Sequence, residues 1–223
     1  FIYEKDEQNI VTVTMDMDGR SANVLNEEFF QLWNDAMDKL ENENDLAGAI
    51  LTSGKKTFIA GGDLEMLFRQ DNPQETFGLI EDAKAGLRRI ELIGKPVVAA
   101  INGTALGGGL EIALCCSHRI AFNSPKTKLG FPEVTLGILP GGGGVVRLSR
   151  LFGLEASLPY LMEGKQVRPD AAKEEGINIP TGCLTGNCSI CEIEVNGKVI
   201  RACISSVKKS TSGELRVKIW EDP

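Results

Sequence analysis

The sequence predicts a layered α/β protein followed by a smaller, cysteine-bearing piece, on three observations. Short apolar runs such as Leu46–Leu51 and Val97–Ile101 alternate with helical patterns, the signature of β/α crossovers. The stretch Lys95–Gly144 gathers glycine clusters and two glutamates, Glu111 and Glu133, in apolar surroundings. Far beyond it, Cys183, Cys188, Cys191 and Cys203 form a compact array belonging to a different chemistry.

The 223 residues can bury one substantial core, or one core and a satellite. With 24 Lys and Arg against 31 Asp and Glu, the net charge is -7. That charge lacks the basic field that a phosphate backbone needs, so nucleic acid is not an expected partner. No apolar window reaches the roughly 18 to 20 residues of a membrane span, and the opening residues do not read as a signal peptide. The first residue is Phe1, which suggests a trimmed chain. Of the six cysteines, four lie in the array and two are adjacent. This usage fits a reducing, cytoplasmic setting better than a disulfide framework.

Residues 10–17, IVTVTMDM, alternate with period two and predict a half-buried strand, turned by Asp18-Gly19. Asn26 is an N-cap for an amphipathic helix over 27–41, with Phe29, Phe30, Trp33, Met37 and Leu40 on its core face. Leu46–Leu51 predicts a buried strand. Gly61-Gly62-Asp63 predicts a tight turn feeding a helix, with backbone N–H groups left free. Residues 64–93 predict helix interrupted at 71–73, its buried stripe being Leu79, Ala83, Leu87, Ile90 and Ile93. Gly94 and Pro96 end it, and Val97–Ile101 follows as a strand.

Each glycine of Gly107–Gly109 would cost about 1 kcal/mol inside a helix. They belong instead at its mouth, where free N–H groups point outward and Glu111 meets the positive helix end. Cys115 and Cys116 read as buried thiols, and His118 as structural. Ile120–Phe122 is another short β-like run. After the turn-rich 131–144 come helices to about Phe152 and Met162, then a short one over Asp170–Glu175.

Three segments carry a family resemblance: FIAGGD (58–63), NGTALGGGLEIAL (102–114) and FPEVTLGILPGGGG (131–144). In that order they resemble the crotonase, or enoyl-CoA hydratase/isomerase, superfamily over about residues 8–176. DGRSANVLN (18–26) is most similar to the hydratase part of multifunctional fatty-acid oxidation proteins. The resemblance implies a spiral of ββα repeats, C-terminally incomplete here, and enoyl-CoA hydration needing no cofactor beyond the thioester substrate. It implies an oxyanion hole from the N–H groups of Gly62 and Gly108, with Glu111 and Glu133 acting across one water. Lys55 and Lys56 become candidate CoA phosphate contacts, and Ala60 and Gly61 candidate CoA-binding positions. Family members assemble as trimers, so a homo-oligomer is expected.

The array C-x4-C-x2-C-x11-C suits zinc or an iron–sulfur cluster, or leaves reactive thiols. Glu192–Val195 and Lys198–Arg201 predict strands joined by Asn196-Gly197, a strong hairpin signal, and Leu215–Trp220 a final strand. Residues 170–220 resemble part of a [2Fe–2S] ferredoxin domain of β-grasp fold, with DAAKEEGINIPTGC as its approach to the first cysteine. That resemblance implies that Cys183, Cys188, Cys191 and Cys203 ligate a [2Fe–2S] cluster serving a redox partner. The expected division is therefore 1–169, an acyl-CoA module, and 170–223, a partial ferredoxin-like module. Both are incomplete, as in a chimera or a chain lacking intervening segments. An electron-transfer module on a non-hydrating acyl-CoA-binding domain, or an inactive scaffold, are the alternative functions.

Overall fold

The computed structural model describes residues 1–175, 181–182, 192–195, 198–201 and 217–219, with side chains for 1–175 other than Lys173. The chain opens with β1 (Ile2–Lys5), which pairs antiparallel with β2 (Ile10–Met15). Asp6 holds their turn, its Oδ1 accepting from the N–H groups of Gln8 and Ile10 at 2.9 Å each. Alternation in β2 buries Val11, Val13 and Met15 completely.

Helix α1 (Glu27–Glu41) starts where expected, because Asn26 Oδ1 accepts from Phe29 N–H at 2.9 Å. Its inward face carries Phe29, Trp33, Ala36, Met37 and Leu40. β3 is Gly48–Ser53, two residues later than the apolar run suggests. Leu46 is buried but lies before the ladder, which begins as Ala49 N–H donates to Pro96 O. Helix α2 (Leu64–Phe68) is capped by Asp63, and α3 (Pro73–Leu92) by Asn72.

The stripe expected on α3 is only half buried. Gly86, Leu87 and Ile90 pack inward, whereas Leu79 is 44% exposed. Only the C-terminal half of α3 lies against α1, where Trp33 Nε1–H donates to Gly86 O at 3.1 Å. A period of 3.6 residues marks an apolar face without saying what that face meets.

β4 (Val97–Ile101) and the two-residue β5 (Ala105–Leu106) lead into α4 (Gly108–Cys115), and β6 (His118–Phe122) follows. β7 (Leu129–Gly130) precedes a 3-10 helix at Pro132–Leu136, then come α5 (Gly144–Phe152) and α6 (Leu154–Met162). β8 (Gln166–Val167), α7 (Pro169–Glu174) and β9 (Thr181–Gly182) complete this part. The main sheet has the order β1-β2-β3-β4-β6-β9, parallel from β2 onward, and a small sheet runs β5-β7-β8. This is a mixed α/β fold of repeated β–α units. Beyond it, β10 (Glu192–Val195) pairs antiparallel with β11 (Lys198–Arg201) and with β12 (Val217–Ile219). The turn residues Asn196 and Gly197 and all four array cysteines lie outside the described residues. Among the described residues, no helix is long and apolar enough to cross a membrane.

Candidate active site

The mouth of α4 is built by close approaches. Gly107 N–H donates to Gly130 O at 3.0 Å and Leu106 N–H to Ile59 O at 3.2 Å, docking the helix entry on two neighbouring segments. Gly107 has φ +52°, a conformation that side chains disfavour. A Cβ on Gly109 would lie 2.5 Å from Ile59 O, so only glycine lets the backbones meet there.

The segment before Gly62 runs beside residues 23–25. Ala60 N–H donates to Asn23 O, Leu25 N–H to Gly61 O and Asp63 N–H to Leu25 O. Asn23, wholly buried, ties this strip to the main sheet through Met17 N–H, Met15 O and Ser53 Oγ. Against Gly108, a Cβ would meet Leu25 Cδ1, so the two strips are in contact. Among the described residues, neither Gly62 N–H nor Gly108 N–H donates to a protein oxygen.

Two carboxylates close on this mouth. Glu111 is 4% exposed, and its Oε1 accepts from Gly144 N–H at 2.7 Å. Burial pushes its carboxyl above the ordinary carboxylate range, while the amides of residues 142–144 and the charge of Arg147 oppose that push. Glu133 sits in the first turn of the 3-10 helix, and its buried Oε2 has no hydrogen-bond partner among the described residues. Burial raises it to about 7, its own backbone N–H opposing and the Glu111 charge adding to the rise. A Cβ on Gly107 would lie 2.7 Å from Glu133 Oε1, and one on Gly108 would lie 3.8 Å from Glu111 Oε2. Both side chains therefore converge on the helix entry at Gly107 and Gly108.

The other expected positions lie further out. Lys55 is half-buried and its Nζ pairs with Asp16 Oδ1 at 2.5 Å, so its charge is already engaged. Lys56 and Ala60 are exposed, and Gly61 is buried. An open cleft of about 410 Å³ adjoins the Gly62 strip, between Arg20, Asn26, Glu27, Asp63, Met66 and Arg69. Cys115 and Cys116 are buried, their Sγ atoms donating to the carbonyls of Glu111 and Ile112. Burial pushes the Cys115 thiol up to about 12 and the Cys116 thiol upward as well. His118 is exposed at the start of β6.

One contributor escapes a reading of the sequence: Arg147, whose Nη1–H donates to Gly142 O at 2.8 Å. A signal was present, since an arginine in the first turn of a helix opposes the positive helix end. Such a local conflict calls for a compensating partner.

The family model for enoyl-CoA hydratase/isomerase matches residues 5–180. The chain belongs to this family. The family's model thus covers β2, β3, β4 and β6 of the main sheet, the small sheet and both glutamates. Residues 162–215 match the model of the 2Fe-2S iron-sulfur cluster binding domain, so an iron–sulfur-type region adjoins the hydratase-like one. The fatty acid oxidation complex subunit alpha of Shewanella halifaxensis is 40% identical over 178 residues, 79% of this chain and 25% of that protein. The same subunit of Aliivibrio fischeri is 41% identical over 179 residues, 79% and 26% respectively. The chain thus spans about a quarter of the length of these relatives. Among solved structures, an enoyl-CoA hydratase from Bacillus anthracis aligns with TM-score 0.73 and 30% identity, covering 81% of this chain and 68% of that one. One from Thermoplasma volcanium aligns with TM-score 0.73 and 28% identity, covering 81% and 70%.

Proposed function

We propose that this chain adds water across the 2,3 double bond of an enoyl-CoA thioester. The observation that carries the reading is the convergence of Glu111 and Glu133 on the mouth of α4, where, among the described residues, the N–H groups of Gly62 and Gly108 have no protein acceptor. Hydration of a conjugated thioester builds negative charge on the carbonyl oxygen. Two donors aimed at that oxygen lower the barrier, each by about 3 kcal/mol in comparable sites.

The two carboxyls divide the proton work according to their surroundings. Glu111, held by backbone donors, is the base: it takes a proton from water as the oxygen bonds to the β-carbon. Glu133, raised to about 7, is the acid: its proton goes to the α-carbon as the π electrons collapse there. Hydroxide from water and a proton from Glu133 complete the product. Glu111 is left protonated and Glu133 ionised, and proton exchange with water resets them. The relatives' role in fatty-acid oxidation supports acyl-CoA substrates.

Following the conjugated-thioester absorbance of a short enoyl-CoA tests this reading. Because Glu133 must carry a proton, kcat/KM falls as pH rises through about 7. A rate that stays flat from about pH 6 to 9 contradicts the assignment. Exposed Val146, Leu151, Leu154, Leu158 and Met162 on α5 and α6 support self-association of the hydratase module.

A second reading concerns the tail and rests on its own family match. Its expected start at residue 170 falls inside 162–180, which both family models cover. Glu192 pairs with Arg201 at one end of the β10–β11 ladder. In the sequence Cys191 directly precedes β10 and Cys203 follows β11 by two residues, and the match implies that they share a ligand set with Cys183 and Cys188. A [2Fe–2S] cluster held there would supply one-electron transfer to a redox partner. Cys188→Ser then abolishes the visible absorption of the iron-reconstituted protein. An unchanged spectrum rules the four-cysteine assignment out.

A further inference from the structure

Arg147 lies behind the glycine turn that supplies amides to Glu111, and it touches nothing that the proposed chemistry uses directly. Its Nε–H donates to Glu91 Oε1 of α3 at 2.7 Å and its Nη1–H to Gly142 O at 2.8 Å. The pair is well sheltered, with side-chain exposures of 17% for Arg147 and 22% for Glu91. Arg88 also pairs with Glu91, so the anchor is held from its own helix. The guanidinium packs so tightly on the turn that a Cβ on Gly143 would overlap Nη1, and Gly143 has φ +101°. On the other side of the same turn, Gly144 N–H donates to Glu111, and a Cβ on Gly142 would lie 2.7 Å from Glu111 Oε2. A free arginine on α5 would satisfy none of these constraints.

We propose that Arg147, anchored by Glu91, is a positioning residue: it fixes the 142–144 turn so that its amides orient and hold the Glu111 carboxylate. The kinetic consequence rests on the hydratase reading, whereas the effect on Glu111 does not. Glu111 is faced by Glu133 from the 3-10 helix, by Arg147 from α5 and by Cys115 from its own helix. Glu91 and Arg88 of α3 stand nearby, each close enough to act on Cys115. Arg147 supplies the positive charge felt at Glu111 and opposes the burial that favours its neutral form.

Carboxyl NMR of the full chain labelled with 13C-glutamate reads this directly, the Glu111 signal being assigned by its loss in Glu111→Gln. In Arg147→Gln the Glu111 titration moves to higher pH, and kcat for a short enoyl-CoA falls about 10²-fold with little change in KM. Arg147→Lys keeps the charge without the two-sided reach, so the titration returns toward wild type while kcat stays low. Glu91→Gln frees the anchor while the arginine keeps its charge, so the Glu111 carboxyl resonance shifts and kcat falls although the titration midpoint moves little, and this variant serves if Arg147→Gln does not fold. A Glu111 titration unchanged in Arg147→Gln, together with a Glu111 resonance unmoved in Glu91→Gln, overturns the proposal. A wild-type chain that does not hydrate, yet shows the NMR shift in these variants, refutes the hydratase reading and leaves the positioning role standing.

Discussion

Glu133→Gln lowers kcat for enoyl-CoA hydration by about 10²- to 10⁴-fold, the range that a positioned acid–base group contributes. KM changes little, because the amide keeps the shape of the side chain and the thioester oxygen is held elsewhere. Among the described residues the buried Oε2 has no hydrogen-bond partner, and burial raises the carboxyl to about 7, both of which suit the acid role proposed for it. A variant retaining more than about a tenth of wild-type kcat removes Glu133 from the acid role. The same substitution acts on stability in the opposite sense. A carboxyl raised above its ordinary value stabilises the fold fully below that ordinary value and loses the contribution as pH rises through about 7. Above neutrality Glu133→Gln therefore unfolds at a higher temperature than wild type, and near pH 4 the advantage disappears. Thermal scans at the two pH values check the sign.

Trp33→Ala destabilises the protein by about 3–5 kcal/mol, a large part of the roughly 5–15 kcal/mol that holds a domain folded. Trp33 is fully buried, stacks on Phe29 at 5.9 Å between ring centroids, and joins α1 to α3 through Gly86 O. Truncation leaves a void where α1 and α3 meet, and Gly86 adds no side chain that could collapse into it. Urea unfolding followed by far-ultraviolet circular dichroism measures the change. A loss below about 1 kcal/mol means that the α1–α3 contact contributes little to the fold.

The elements legible in the sequence are those whose signals are local. Asn26 caps α1, Gly94 and Pro96 stop α3, and the alternation of residues 10–15 buries Val11, Val13 and Met15. The two-residue strands β5, β7 and β8 are too short to show a period, yet they dock the mouth of α4. β1 pairs along the sheet edge and keeps most of its residues exposed, so no buried alternation announces it. Leu79 was legible as apolar but not as exposed, since its neighbours across the fold decide that.

At the candidate site the same divide holds. The motifs around Glu111 and Glu133 single them out, and the fold brings both to one helix entry. Their electrostatic character depends on which amides each one meets, and Gly144 reaches Glu111 only through the turn before α5. Lys55 reads as a free cation until Asp16 is placed beside it. Arg147 shows only as a charge at the wrong end of a helix until Glu91 and Gly142 are seen around it.

Isotope incorporation reports whether this chain adds water to an enoyl thioester. A short 2-enoyl-CoA is incubated with the purified, folded chain in deuterated water enriched in 18O, and the product is read by mass spectrometry. The expected product is a 3-hydroxyacyl-CoA carrying one 18O on the β-carbon and one deuterium on the α-carbon, formed by wild type and nearly absent with Glu133→Gln. Recovery of unlabelled enoyl-CoA from the folded wild-type chain, with no hydroxyacyl product, would contradict it.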